Sequence, residues 1–285
     1  MLVHLDTDVG GDPDDVCALS MLLGWPGVEI AGITTTHEER GRRAGFVHEV
    51  LRLAGRSGVP VAAGAEHSMT TLAQPGGFPD DERYWGRAIE AVPSLAGAAL
   101  EMLERSIERH ATVVAIGPFT NLGLFEITRP GLLDTVPVVV MGGGYRVPDP
   151  GYPQWPETYD WNVQCDTRAA EIVSSLAQLT VVPLAATVKV HLRGTHLPRL
   201  HACGAIGELM ARQAEAYAID RRAGLAAQHP KLPDDLLNFH HDPLACAIAV
   251  GWDGVTFDGN VVADVDGDAF SERWLQAIEH LHSTA

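Results

Sequence analysis

The sequence predicts an α/β fold: an open, mostly parallel sheet with a Rossmann-like core and helices on both faces. Three observations predict it. Short apolar runs alternate with segments of helical periodicity over the first two thirds of the chain, the pattern of repeated strand–helix units. Five aspartates, Asp6, Asp8, Asp12, Asp14 and Asp15, crowd the junction between the first apolar run and the first helical one, where open α/β sheets place ligands. The 285 residues are 46% hydrophobic, enough for one large domain with a substantial core, expected over 1–285.

Taken in order, the first strand is the apolar run 2–5. The first helix, 13–23, opens on Asp12-Pro13-Asp14-Asp15: Asp12 can cap it, Pro13 suits the first position, and the two acids complement the positive end of the helix dipole. Further strands are expected over 28–34, 59–62, 112–116, 136–141 and 179–184, with helices over 40–54, 95–110, 120–127 and 167–176 between them. The helix at 120 follows Gly117-Pro118-Phe119, with Thr120 or Asn121 as its cap. Past residue 185 the pattern turns mainly helical, over 205–223, 242–251 and 270–282, with a weaker strand at 261–265. Asp242 can cap the second of these helices, with Pro243 behind it. Long loops are expected at 66–83, 147–159 and 223–239, the last as a mobile flap.

Composition removes several classes of function. The net charge is −17 and no long basic stretch occurs, which argues against nucleic acid as a partner. No apolar run is long enough to span a bilayer. The chain enters a strand almost at once, so no signal peptide is expected. Cys17, Cys165, Cys203 and Cys246 are scattered without CxxC spacing, as reduced thiols of a cytoplasmic protein are.

The acidic cluster carries the most chemistry. Carboxylates this close repel, and they hold together by taking up protons or sharing a cation; a hard, oxygen-seeking cation such as Ca²⁺ or Mg²⁺ is the simplest answer. The helix-start reading accounts for Asp12 and partly for Asp14 and Asp15, but not for Asp6 and Asp8. The run begins like an EF-hand, yet Cys17 stands where the bidentate acid belongs. Elsewhere, the turn before Thr120 either is structural or leaves a carbonyl free for a cation. Met141-Gly142-Gly143-Gly144 lets backbone approach a small ligand. Asp160 and Asn162 share a face if their segment is extended, as sugar hydroxyls would require. His240 or His241 is a candidate general acid, because imidazole titrates near neutral pH.

In order along almost the whole chain, these segments resemble the inosine–uridine-preferring nucleoside hydrolase family: the Asp cluster, Ile33-Thr34-Thr35, Gly117-Pro118-Phe119-Thr120-Asn121-Leu122, Met141-Gly142-Gly143, Asp160-Trp161-Asn162 and His241-Asp242-Pro243. The resemblance implies a Ca²⁺-dependent N-ribohydrolase of nucleoside salvage, acting on a small-molecule nucleoside as a homodimer or homotetramer. It implies Asp8 as the general base and a metal ligand, with Asp15, Asp242 and the Thr120 carbonyl completing the protein's ligation. Asp14, Asp160 and Asn162 would hold the ribose, Met141 would lie beneath its ring, and His241 would stand near the leaving base as proton donor.

The chain departs from the family pattern at several positions. Gly11, Asp12 and Pro13 lengthen the acidic motif; Asp160 replaces a glutamate; Glu39 and Gln154 are the nearest equivalents of two asparagines; and Tyr84-Trp85-Gly86 occupies the region of an HGxDG-like segment. Tyr84, Trp85 and Trp155 either stack on a base or pack. Two other readings compete. In a haloacid-dehalogenase-type, Mg²⁺-dependent phosphatase Asp6 would be the nucleophile and Asp8 the acid/base. In a catalytically silent protein the same scaffold would only bind a ribosyl ligand.

Overall fold

The computed structural model describes residues 1–70 and 77–284. β1 (Leu2–Thr7) leads to α1 (Asp14–Gly24), β2 (Glu29–Thr35), α2 (Arg42–Leu53) and β3 (Val61–Ala63). α3 (Asp81–Trp85) and α4 (Ala98–Glu108) precede β4 (Thr112–Ala115), α5 (Thr120–Thr128), β5 (Val138–Met141), α6 (Trp161–Cys165), α7 (Thr167–Val173) and β6 (Leu179–Val182). The C-terminal third runs through α8 (Leu184–Thr187), β7 (His191–Arg193), α9 (Leu197–His201), α10 (Gly204–Tyr217), a π-helical turn (Ala218–Arg222), α11 (Leu225–Gln228), β8 (Leu236–Phe239), α12 (His241–Ala249), β9 (Val255–Asp258), β10 (Val261–Val265) and α13 (Gly267–Ser283).

Eight of these strands form one sheet in the order β3-β2-β1-β4-β5-β6-β10-β9. Every pairing is parallel except β9 with β10. The chain leaves β1 toward β2 and β3, then returns to β4 on the other side of β1. The topological switch therefore falls between β1 and β4, and a crevice opens at their carboxyl ends. The expected α/β class and mostly parallel sheet are as observed.

Side-chain alternation assigns the two faces. Val3, Leu5, Val114, Ile116 and Val139 join the core beneath α1, α12 and α13. Val113, Ala115, Val138 and Val140 point the other way, onto Leu103, Leu122, Phe125 and Val173. α1 is buried along nearly its whole length, including both acids of its first turn. No described helix is long and apolar enough to cross a membrane.

The region past 185 is less purely helical than the sequence predicts. β7 and β8 pair as a separate antiparallel ribbon, and β9 extends the main sheet. These strands are three or four residues long, too short for periodicity to distinguish from helix or loop. The expected flap at 223–239 contains α11 and β8, and the expected loop at 66–83 runs into the start of α3; residues 71–76 of that loop lie outside the described residues. Three helix caps also differ. α1 begins at Asp14 with Pro13 at the cap position, though the Asp14 amide still reaches Asp12 at 3.4 Å. α5 begins at Thr120 behind Phe119, and α12 begins at His241, leaving Asp242 inside its first turn rather than at its cap.

Candidate active site

A cavity of about 980 Å³ opens at the switch point, and Asp8, Asp12, Asp14, Asp15 and Asp242 all line it. Local structure positions each one. β1 ends at Thr7, so Asp8 sits in the turn beyond the strand. Gly117 closes on that turn so tightly that an added Cβ would lie 2.7 Å from the Asp8 amide nitrogen. Asp14 and Asp15 open α1, and Asp242 lies in the first turn of α12. Both helix N-termini therefore present their positive ends to the acids, and the Thr7 hydroxyl donates to Asp15.

The acids strain against one another. Carboxylate oxygens of Asp12, Asp14 and Asp15 lie within 4.8 Å of each other. Burial first, then the charge of Asp8, holds Asp15 well above the usual carboxylate range. Asp242 is raised likewise, by burial and then by Asp15, Asp12 and Asp8. Burial pushes Asp12 to about 6. Buried carboxylates in this state accept protons or a cation, and an all-oxygen donor set fits a hard divalent ion.

The candidates read from the sequence for a sugar line the same cavity. Met141 ends β5, is buried, and lines the cavity with Asp160 and Asn162. The segment is not extended, as the face-sharing argument assumed. Asp160 caps α6, accepting from the Val163 amide at 3.2 Å and the Gly143 amide at 2.7 Å. Asn162, in the first turn, donates to the carbonyls of Ile116 (2.8 Å) and Met141 (3.0 Å). Gly142 has φ +105°, and a Cβ there would lie 2.8 Å from the Asp160 carboxylate. The glycine run thus lets backbone close on Asp160.

His241 lines the cavity, its Nδ1 2.7 Å from the Thr187 hydroxyl. It does not titrate near neutrality as the sequence argument supposed: burial, with Arg222 adding, pushes it down to about 3, so it stands neutral. His240 is fully buried against Trp274 and Phe270 and does not line the cavity.

Thr120 is not brought to the cavity. It is fully buried, its hydroxyl donates to Asp166 at 2.8 Å, and a carbonyl in the first helical turn is taken by the amide four residues on. Ile116, at the end of β4, lines the cavity instead.

The departures from the family pattern also resolve. Glu39 is exposed outside the cavity. Gln154 donates to the carbonyls of Pro148, Asp149 and Tyr152, tying its own loop together. Trp85 stacks on Phe46 in the core at 4.5 Å. Trp155 stacks on Tyr159 at 4.7 Å and does not line the cavity. Tyr84 does line it, its hydroxyl donating to Asp220 at 2.9 Å. Asp6, the nucleophile of the phosphatase reading, is fully buried on Thr34 and Asn121 and does not line this cavity. Lys189, which follows the strand near Leu184 and is the nearest match to the strand-end lysine that reading wants, is paired with Asp149 and Asp264. That reading fails.

Sequence reasoning missed two contributors, Tyr217 and Arg222, and the contacts of two more. The Trp161 indole donates to Asp8 Oδ2 at 3.3 Å. Asp12, read as a cap within the acidic cluster, faces the cavity and accepts from the Tyr217 hydroxyl at 3.3 Å. Tyr217 and Arg222 arrive from α10 and the π-helical turn, some two hundred residues from the N-terminal acids. Their segment carries no motif. The only sequence signal was that the insertion Gly11-Asp12-Pro13 adds an acid that needs a partner.

A family model described as inosine-uridine preferring nucleoside hydrolase matches residues 3–277. The pyrimidine-specific ribonucleoside hydrolase RihA of Salmonella schwarzengrund is 28% identical over 213 residues, 71% of this chain and 66% of that protein; the match thus spans slightly less than two thirds of that relative's length. Among solved structures, a purine-preferring ribonucleoside hydrolase from Gardnerella vaginalis superposes with a TM-score of 0.80 at 23% identity, covering 100% of both chains. An inosine-uridine preferring nucleoside hydrolase from Bacillus anthracis gives 0.69 at 19%, covering 98% of this chain and 99% of that one. At these identities the structural likeness is one of fold.

Proposed function

The chain belongs to the inosine-uridine preferring nucleoside hydrolase family, and from that premise we propose that it hydrolyses the N-glycosidic bond of ribonucleosides to free base and ribose. One observation carries the reading: the turn after β1 and the starts of α1, α6 and α12, far apart in sequence, converge on one cavity lined by Asp8, Asp12, Asp14, Asp15 and Asp242 together with Asp160 and Asn162.

Asp8, Asp15 and Asp242 are the carboxylates that would hold a divalent cation, proposed as Ca²⁺. The Ile116 carbonyl, rather than that of Thr120, is the strand-end donor available to join them. When bound, such an ion neutralises the acids, orients ribose hydroxyls and lowers the pKa of water. Asp8 takes the proton from the attacking water. Asp14, Asp160 and Asn162 grip the ribose hydroxyls, and Met141 supports the ring. As the bond to the base breaks, C1′ gains oxocarbenium character, and the surrounding carboxylates stabilise it. Neutral His241 offers the departing base a hydrogen bond rather than a proton from an imidazolium. The free thiols of the four cysteines support a cytoplasmic setting, and a homodimer or homotetramer is the proposed assembly.

The test is ribose release from p-nitrophenyl riboside, inosine, uridine and cytidine, before and after chelation. Release that stops with chelation and returns with Ca²⁺ supports the reading and ranks the bases. No release by Ca²⁺-loaded protein would overturn it in favour of a scaffold that only binds.

A further inference from the structure

The cavity is lined by arginines that hydrolysis as described does not use. Arg43, Arg83, Arg221 and Arg222 all line it. Two are committed elsewhere. Arg43 donates to the carbonyls of His37 (2.8 Å) and Val9 (2.9 Å), and Arg83 pairs with Asp220 at 2.7 Å. Arg222 is different. Its guanidinium lies 5.1 Å from the Tyr217 ring centre and 5.0 Å from that of Phe239. Its Nε donates at 3.1 Å to Asn238, itself fully buried. Among the described residues its two terminal nitrogens have no hydrogen-bond or ion-pair partner, and Arg221 has none either. Asp12 lies near enough for the Arg222 charge to draw its pKa down against burial, but its carboxylate accepts from the Tyr217 hydroxyl at 3.3 Å rather than from the guanidinium. The result is a guanidinium fixed at its base, with its outer fork uncommitted and facing a cavity.

Position says which part of a substrate it meets. Phe239, one of the two rings that hold Arg222, also packs on His241, ring centres 5.2 Å apart. Arg222 therefore stands on the leaving-base side of the cavity. The π-helical turn Ala218–Arg222 puts both arginines there in succession, and such turns recur at functional sites.

We propose that Arg222, with Arg221 beside it, forms an oxyanion subsite for the leaving base, selecting ribosides whose base carries a carboxylate or a comparable oxyanion over their neutral isosteres. A planar guanidinium fork matches a carboxylate with two parallel hydrogen bonds. Pinning by two rings and Asn238 removes most of the ordering cost before the ligand arrives. A partner that cannot accept both bonds leaves the fork unsatisfied, and a site of this kind rejects it strongly.

The subsite rests on the hydrolase reading for its orientation but is testable apart from it. Intact, Ca²⁺-loaded protein is given nicotinate riboside and nicotinamide riboside, which share a ring and differ in carboxylate against carboxamide. Uridine and uridine 5′-phosphate form a second pair, because an oxyanion can also sit on the sugar. Calorimetric binding of free nicotinate and nicotinamide needs no turnover. The expected result is a carboxylate preference of about tenfold or more in kcat/KM and in binding, falling toward unity in Arg222→Gln and partly kept in Arg222→Lys. Equal handling of the first pair by the wild-type protein overturns the proposal, whether or not either variant folds. So does a preference that survives in folded Arg222→Gln. A preference for the 5′-phosphate that Arg222→Gln abolishes puts the oxyanion on the sugar and overturns the assignment to the base. If no riboside is cleaved, the hydrolase reading fails, and the binding pair still decides the role of Arg222.

Discussion

Two residues on or just beyond β1 show how one short segment divides its labour. Asp8, past the strand's end, faces the cavity; Asp8→Asn keeps the shape but cannot take a proton. At saturating Ca²⁺ its turnover should fall by about 10²–10⁴-fold, the usual worth of a general base, while substrate affinity changes only a few-fold. Retained turnover would remove Asp8 from that role. His4 lies inside the strand, fully buried, its ring nitrogens 2.9 Å from Ser106 and 3.0 Å from Thr34. Burial pushes its pKa from 6.5 to about 3. The unfolded chain therefore takes the proton first, so this contribution is complete above pH 6.5 and is lost as the pH falls toward 3. By pH 5 the loss is about 2 kcal/mol. Denaturant unfolding of wild type and His4→Gln should diverge by about that amount between pH 7.5 and pH 5, the wild type falling faster. Parallel curves would mean that His4 does not stand neutral in the fold.

Glycines at two element ends separate packing from function. Gly24 closes α1 against α13, where an added Cβ would fall 2.0 Å from the Ala277 carbonyl oxygen. Gly142 follows β5 at φ +105°, against Asp160. Gly24→Ala should cost about 1–3 kcal/mol of stability, the range for overpacking, seen as a lower denaturant midpoint. Gly142→Ala adds backbone strain of a similar size, but its distinguishing effect should be a raised KM through displaced Asp160. If both variants lose only stability, Gly142 has no part in the site. The elements themselves were legible where physics is local. Asp14 and Asp15 at a helix start, the apolar runs of β4 and β5, and the turn at Gly117 all lie within a few residues of the signal that marks them. What was not legible depends on distance or on shortness. Tyr217 reaches Asp12, and Arg222 the cavity, from across the chain, Thr120 and Ile116 differ only by where the helix begins, and β7 and β8 are too short to show a period. Asp160 and Asn162 were found for a wrong reason: they reach the cavity from a cap and a first helical turn, not from an extended face.

For the whole molecule, the acidic cavity is a cost that the fold carries until a cation arrives. Asp15 and Asp242 are buried among like charges, in a chain of net charge −17, and removing a buried, uncompensated carboxylate relieves repulsion. Ca²⁺ at one hundred times its Kd should stabilise the native state by about 2.7 kcal/mol, raising Tm by about 5 °C or more for a chain of this size. Asp242→Asn should reverse the order of stabilities between the two conditions. In chelator at pH 7.5 it should unfold above the wild type, by about 0.5–2 kcal/mol, the gain typical of relieving a functional site. In Ca²⁺ it should unfold below, because the ligand that carried the stabilisation is gone. Thermal scans of both proteins in both buffers settle the matter. Curves that keep one order throughout would show that Asp242 is a structural acid rather than a cation ligand, and the cluster would then be held by protons alone.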